Sequence, residues 1–332
     1  MITKKTVLVL GAGASHAYGF PLGADLRDDI IRSARDPSYY PSVIKSYGIK
    51  PDEYREMIAV MPKVPTYSID AFLERRPEFM DAGKKMIAIH LLQREVSGRM
   101  FHDIIGVRVA ARKGKNSSPV EDWYQYLFNR LASHAPEEFR ANQLVVVTFN
   151  YDRSLEHYLF ESVKEWFKLD DDKTRHMMSS IEFIHLYGSL GKLPWQDGQL
   201  DVVPYDSWAT QGHREVNIAR AADSIKIVSE ERQADSTPEF RAARKHIEDA
   251  SKVLFLGFGF DPVNVERLLP GELIRRRNMC GTLLGLGLHE VQYLERMGMS
   301  GFNPNGHPMV ETRFHGTTIL DFLKNHSSSE ML

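Results

Sequence analysis

The chain has 332 residues, 42% hydrophobic and 26% charged, with a formal net charge of −2. That length allows one large domain or two modest ones, and the near-neutral balance gives no direct signal for a nucleic-acid or anionic-membrane partner. Its one cysteine, Cys280, excludes an internal disulfide and any multi-cysteine zinc site, so no metal is expected.

The opening residues Met1-Ile2-Thr3-Lys4-Lys5 carry no signal-peptide pattern, and no apolar run is long enough to span a bilayer; a cytoplasmic protein without a membrane partner is expected. Thr6 to Leu10 then reads as a buried strand, handing over to Gly11-Ala12-Gly13-Ala14-Ser15-His16. Glycines at such a turn permit tight geometry and close approach of a ligand to backbone N–H groups. A dehydrogenase fingerprint wants a third glycine where His16 stands, so an ordinary dinucleotide half-domain fits poorly.

Gly23 to Ala34 is predicted helical, and Asp36 to about Pro65 shows little strand pattern. Ser68 or Asp70 caps a helix that continues through Phe72 and Leu73, and helical spacing runs from Pro77 to about Val109. Residues 112–119 are a loop by composition, and Glu121 to Leu131 returns to helix with Trp123, Tyr126 and Leu127 as a core stripe. A second strand, Gln143 to Asn150, ends in Thr148, Asn150, Tyr151 and Asp152, before a helix over 154–167. A third, from Ile181, ends in His185-Leu186-Tyr187-Gly188-Ser189, followed by a loop to about Gly212 that holds Trp195 and Trp208. Helices are expected over 214–222 and 237–250, with a solvated charged face at Glu230, Glu231 and Arg232. The fourth strand, Lys252 to Leu256, ends in Gly257-Phe258-Gly259-Phe260-Asp261, with Asp261 as cap and Pro262 at the first helical position. A fifth is expected over Thr282 to Leu288, then a short helix over 317–325 and a frayed tail at 327–332.

Strands alternating with helices indicate an α/β fold: a Rossmann-like, mainly parallel sheet with helices on both faces. The domain reading is a core of 1–34 and 141–326 with a mostly helical insertion at 35–140. Ligands of such sheets sit beyond the carboxyl ends of the strands. All four strong strand ends carry glycine or uncharged polar groups there, which a purely structural domain has little reason to do.

These strand ends, in this order, resemble the sirtuin-like superfamily of NAD-binding proteins. The residues that carry the likeness are Gly11-Ala12-Gly13-Ala14-Ser15, Thr148-Phe149-Asn150-Tyr151-Asp152, Tyr187-Gly188-Ser189 and Gly257-Phe258-Gly259. The likeness leaves out roughly 35–140 and is greatest to the bacterial branch found in anti-phage defence systems, which lacks the zinc ribbon. Trp195 and the Ser68-Ile69-Asp70 start also look like that branch.

The resemblance implies NAD⁺ as ligand and, in the defence branch, hydrolysis to nicotinamide and ADP-ribose. It implies that Ser15 and the backbone at Gly11, Ala12 and Gly13 cradle the diphosphate, that Asn150 holds ribose or water, and that Asp152 meets the carboxamide or the developing positive charge. Gly188, Ser189, Gly257, Gly259, Asp261 and Asn264 fall at the remaining binding positions. It further implies triggering by homo-oligomerisation or by a separate ATPase or sensor protein.

Tyr187 stands where the family has its catalytic histidine, and His185 lies two residues earlier. Alternation along a strand would put both on one side, about 7 Å apart. A neutral imidazole is a competent base near pH 7, whereas a phenol with a pKa near 10 is a poor one. Three readings stay open: His185 replaces the family histidine, Tyr187 hydrogen-bonds the ribose, or the site binds NAD⁺ without cleaving it, as a sensor. NAD-dependent deacylation is a third function, disfavoured because no zinc ribbon is present to shape an acyl-peptide cleft. Bland roles compete at each residue: Asp152 and Asp261 as helix caps, His185 as a core histidine, Cys280 as an inert buried thiol.

Overall fold

The fold was analysed in a computed structural model, which describes residues 1–36, 44–97, 121–196, 201–208, 212–227, 237–276, 278–299, 302–303 and 313–326. The strands are β1 (Thr6–Leu10), β2 (Leu144–Thr148), β3 (Glu182–His185), β4 (Lys252–Leu256), β5 (Met279–Thr282), β6 (Phe302–Asn303) and β7 (Phe314–His315). They form one sheet in the order β3-β2-β1-β4-β5-β7-β6. Every pairing is parallel; Thr6 pairs with Leu144 on one side and Lys252 on the other.

The helices are α1 (Gly13–His16), α2 (Gly23–Ser33), α3 (Pro51–Val60), α4 (Ile69–Arg75), α5 (Met80–Ser97), α6 (Trp123–Leu131), α7 (Pro136–Phe139), α8 (Ser154–Phe167), α9 (Asp171–Met178), α10 (Arg214–Ser224), α11 (Pro238–Asp249), α12 (Pro262–Leu268), α13 (Leu288–Met297) and α14 (Ile319–Asn325). The α/β fold expected from the sequence is therefore present. All five residues of β1 and all five of β2 are buried. Strands covered on both faces read as continuous apolar runs, which is why the sequence showed them clearly.

Alternate residues serve opposite layers. Leu8, Leu10 and Val146 pack with α2, α5, α6, α8 and α10. Val7, Val9 and Val147 pack with α11, α12 and α13. The first of these clusters runs without a break from the strands into Met86, Ile87, Trp123 and Leu127 of the 35–140 segment.

Several boundaries differ from the sequence reading. The fifth strand is Met279–Thr282, not 282–288. The apolar-glycine alternation that follows is a turn, with Leu286 N–H donating to the Leu283 carbonyl at 3.0 Å and Gly285 at φ +92°. Gly281 belongs in the strand because a Cβ there would lie 2.2 Å from the Phe255 carbonyl oxygen. The helices α3, α9 and α13 and the two-residue strands β6 and β7, of which β6 forms the sheet edge, were not foreseen. Of the alternatives at α4, Ser68 is the cap: its Oγ accepts from Ala71 N–H at 3.1 Å. The expectations for 98–120, for 228–236 and for the tail from 327 fall outside the described residues. Among the described residues no helix is long and apolar enough to cross a membrane.

Candidate functional site

The order of the sheet reverses beside β1: β2 and β3 lie to one side, β4 and β5 to the other. That switch point is where an open parallel sheet makes a crevice. The loop after β1 and the loop after β4 meet there in close backbone contact. Gly11 and Gly13 donate their N–H groups to the carbonyls of Leu256 and Gly257 at 3.2 and 3.0 Å. A Cβ on Gly257 would lie 2.3 Å from Ala14 N, and one on Gly11 2.6 Å from the Gly257 oxygen. The glycines are thus required by loop-on-loop packing. A cavity of about 540 Å³ opens beside them, bounded by Ala12, Gly13, Leu22, Gly257, Gly259 and Thr282, with Glu121 and Glu290 on its wall.

On the β2 side the expected residues assemble into a buried polar chain. Asn150 Nδ2 donates to the Gly11 carbonyl at 3.0 Å and approaches Ser15 Oγ at 3.4 Å. Ser15 Oγ donates to Asp152 Oδ2 at 2.8 Å. The other carboxylate oxygen of Asp152 accepts from the Ser154 N–H at 3.1 Å and from the Ser154 hydroxyl. Tyr124 OH closes the chain on Ser154 Oγ at 2.6 Å. Asp152 therefore ties the start of α8 and also holds Ser15. Burial raises its pKa, the hydrogen bonds from Ser154 and Ser15 oppose the rise, and Glu156 adds to it. The space between Asn150, Asp152, Tyr124 and Glu156 is only about 10 Å³, roughly the room one water needs.

His185 and Tyr187 do not share a side. The strand ends at His185, and a turn closed by Gly188 N–H on the His185 carbonyl at 3.3 Å carries the chain over. Gly188, at φ +72°, is fixed there because a Cβ would lie 1.9 Å from the Ser224 oxygen. His185 faces α8. Its Nδ1 meets the Asn150 carbonyl at 2.8 Å and its Nε2 meets Glu156 Oε1 at 2.7 Å. Burial lowers its pKa, but the Glu156 carboxylate and the Asn150 carbonyl outweigh that and raise it. Both partners are acceptors, an arrangement that favours the doubly protonated ring and engages both of its nitrogens.

Tyr187 lies in the opposite layer, against Phe240. Its OH donates to Asn264 Oδ1 at 2.8 Å and accepts from Arg267 at 3.0 Å. Asp261 is exposed and caps α12 through Val263 and Asn264 N–H. Ser189 Oγ turns to the Gly191 carbonyl at 3.3 Å, while Gly259 lines the cavity with open space where a Cβ would go. Thus Ala12, Gly13, Gly257 and Gly259 line the cavity, and Gly11 lies behind them against Gly257. Ser15, Asn150 and Asp152 join the loop from the β2 side. His185 stands behind Asn150, and Tyr187 with Asn264 forms a separate cluster.

The sequence reading has Trp123 in the core, Trp195 and Trp208 on their loop and Cys280 as an inert thiol, but it missed the contacts through which Trp123, Tyr18, Tyr124 and the Arg153–Glu95 pair hold this arrangement. Trp123 Nε1 donates to the Ala14 carbonyl at 2.8 Å, and the Tyr18 and Tyr124 rings stack at 3.7 Å. Arg153, immediately after Asp152, forms a buried ion pair with Glu95 of α5 at 2.8 Å. It also donates to the carbonyls of Gly191 and Val203. Trp195 stacks on Phe160, with ring centroids 4.9 Å apart, and Trp208 lies under the Arg214 guanidinium; both anchor their loop to neighbouring helices. Cys280 is buried and its thiol is pushed up to about 12 by desolvation, against the opposing influence of Lys252 and Arg313. It is not a nucleophile at neutral pH.

The class defined by these observations is an α/β protein with a glycine-lined crevice at its topological switch point. No protein-family model matches the chain, and the search of curated proteins returns no significant match. Among the described residues no group of three or more His, Cys, Asp or Glu side chains is placed to hold a metal ion.

Proposed function

We propose that this chain binds NAD⁺ in a sirtuin-like manner and hydrolyses the bond between nicotinamide and ribose. The observation that carries the reading is the position of Asn150. Its amide is held between the Gly11 carbonyl and Ser15, at the junction of the glycine loop with the end of β2. A dinucleotide lying in the cavity with its diphosphate near Ala12 would bring its second ribose toward this side of the loop. The Asn150 side-chain oxygen would then orient a ribose hydroxyl or the attacking water.

In the reaction the C1′–N bond breaks and its electron pair neutralises the pyridinium, which leaves as nicotinamide. A water oxygen adds to C1′ and releases its proton to solvent. The oxocarbenium-like transition state gains from nearby negative charge, which Asp152 supplies. His185, with both nitrogens engaged, is a positioning residue that fixes the Asn150 backbone; the chemistry then proceeds without a histidine base.

A second reading, a sensor that binds NAD⁺ without cleaving it, is favoured by the engagement of both His185 nitrogens with Asn150 and Glu156 and of Tyr187 with Asn264 and Arg267. Incubation of purified protein with NAD⁺, following nicotinamide and ADP-ribose, separates the two. The hydrolase reading expects turnover that Asn150→Ala lowers about 100-fold or more, in the range of lost positioning and electrostatic groups, while NAD⁺ still binds. Binding without product in wild type would establish the sensor. Full turnover by Asn150→Ala would refute the role given to that residue. Any triggering by self-association or by a separate ATPase or sensor protein belongs to the same proposal, and would appear as turnover only in the assembled state.

A further inference from the structure

We propose that the groove between α6 and α8 binds a linear aliphatic polyamine, a chain whose ammonium groups are separated by short methylene stretches. The groove shares no lining residue with the cavity at the glycine loop, and the proposal does not depend on the dinucleotide reading. Its volume is about 740 Å³, within the roughly 300–1,000 Å³ of small-molecule sites. Phe128 of α6, with Tyr158 and Trp166 of α8, supplies its aromatic surface. The Trp166 ring is 56% exposed yet held in place. It stands edge-to-face with Phe128, centroids 5.8 Å apart, and its Nε1 donates to the Ser133 carbonyl at 3.3 Å. Aromatic faces of this kind attract ammonium groups and take methylenes out of water.

The charge in the groove is one-sided. Glu161, Glu165 and Asp206 line it, and among the described residues no lysine or arginine does. None of these three carboxylates has a hydrogen-bond or ion-pair partner among the described residues. Lys164, between the two glutamates in sequence, pairs instead with Asp171 at 2.6 Å. Glu161 and Glu165 fall in the last two turns of α8, one turn and about 6 Å apart along its axis. Like charges at that spacing repel, and the carboxyl end of a helix is itself negative. Burial raises the Glu161 pKa, Lys164 opposes the rise, and Asp171 and Glu165 add to it. Asp206 joins from the loop before α10. The ring of its neighbour Tyr205 stacks on His157 at 3.8 Å, one turn before Glu161, so the three carboxylates follow one another along the groove. His157 is pushed down to about 4 by desolvation and by Arg153, so it brings no positive charge at neutral pH. A row of carboxylates at one-turn steps beside aromatic faces matches ammonium groups strung on short methylene chains. A compact inorganic cation would meet one carboxylate and gain nothing from the rings.

The test is titration of the intact chain with spermidine at neutral pH and low salt, followed by calorimetry and by tryptophan fluorescence, with magnesium chloride at matched ionic strength as the comparison. Spermidine is expected to saturate with a Kd below about 1 mM and to change the tryptophan emission, while magnesium leaves that emission unchanged and does not displace spermidine. Trp166→Phe keeps an aromatic face; it should remove most of the emission change and leave calorimetric binding within about threefold. Glu161→Gln/Glu165→Gln should weaken binding about tenfold or more. Its unfolding temperature should be unchanged or raised, because like charge leaves the helix end. No saturation by about 10 mM spermidine would overturn the proposal. So would undiminished binding by the folded double variant, or an emission change that survives in Trp166→Phe, which would put the polyamine elsewhere. Displacement by magnesium would also overturn it, by reducing the site to general counter-ion attraction.

Discussion

Replacing Arg153 with methionine should unfold the site from behind. Arg153 is 1% exposed and the Glu95 side chain is fully buried, with the guanidinium making contacts of 2.8, 2.8 and 3.1 Å to the carboxylate. Removing one member of such a pair leaves an uncompensated buried charge, which costs about 3–5 kcal/mol. The Gly191 and Val203 carbonyls lose a donor as well. Burial already raises Glu95 to about 7, with the Arg153 charge and hydrogen bonds opposing that rise. Without Arg153 its pKa climbs further, so the folded variant takes up a proton over a wider range than the unfolded chain does. A carboxyl raised in the folded state loses stability as pH rises from its unfolded value to its folded one. The loss caused by Arg153→Met should therefore be larger at pH 8 than at pH 5.

Urea unfolding followed by circular dichroism and by tryptophan fluorescence would measure this, provided the two probes coincide. The double variant Glu95→Leu/Arg153→Met should recover to within about 2 kcal/mol of wild type, because a buried ion pair replaced by apolar groups is often neutral. A single variant costing under about 1 kcal/mol at pH 8, or a double variant no better than the single, would refute the account.

Further outcomes follow from the same geometry. Gly257→Ala forces a Cβ to 2.3 Å from Ala14 N at φ +59° and should cost about 3 kcal/mol or more, whereas Gly259→Ala enters open space and should stay within about 0.5 kcal/mol; thermal unfolding compares them. His90 is buried and pushed down to about 4, chiefly by desolvation. Its folded pKa lies below the unfolded one, so stability falls as pH drops from 6.5 towards 4, by about 2 kcal/mol at pH 5 from this group. Denaturant titrations at pH 7 and pH 5 should show His90→Met flattening that decline. His185, raised by Glu156 against the effect of burial, contributes stability below pH 6.5 that is lost as pH rises through its folded pKa. NMR titration of its ring should find the doubly protonated form at neutral pH, and a ring neutral at pH 6.5 would contradict the pairing.

Much of the fold was legible because β1, β2 and β4 are buried on both faces over nearly their whole length, so each carries an apolar run of four residues. The strand ends were legible because glycine and amide residues interrupt those runs abruptly. Less visible were features decided by distant partners. Tyr187 leaves the His185 side because Gly188 must fit beneath the Ser224 carbonyl, a contact that no local pattern encodes. Met279 to Thr282 lacks alternation and is a strand through its pairing with β4 and β7, where only glycine fits against Phe255 at position 281. Glu95 sits within a long helix of otherwise ordinary charge spacing. Only the arrival of Arg153 explains why a carboxylate is buried there.

The central strand also sets the order in which the molecule can be made. β1 precedes both of its neighbours in the chain, which begin at Leu144 and Lys252. Until the first of these has left the ribosome, Thr6 to Leu10 is an apolar ribbon with no hydrogen-bond partner on either side. Pairings so distant in the chain close slowly, and unpaired apolar edges invite association. The crevice that β1 helps to form is therefore among the last features to exist. Chains halted before Lys252 should be aggregation-prone, with that crevice still incomplete.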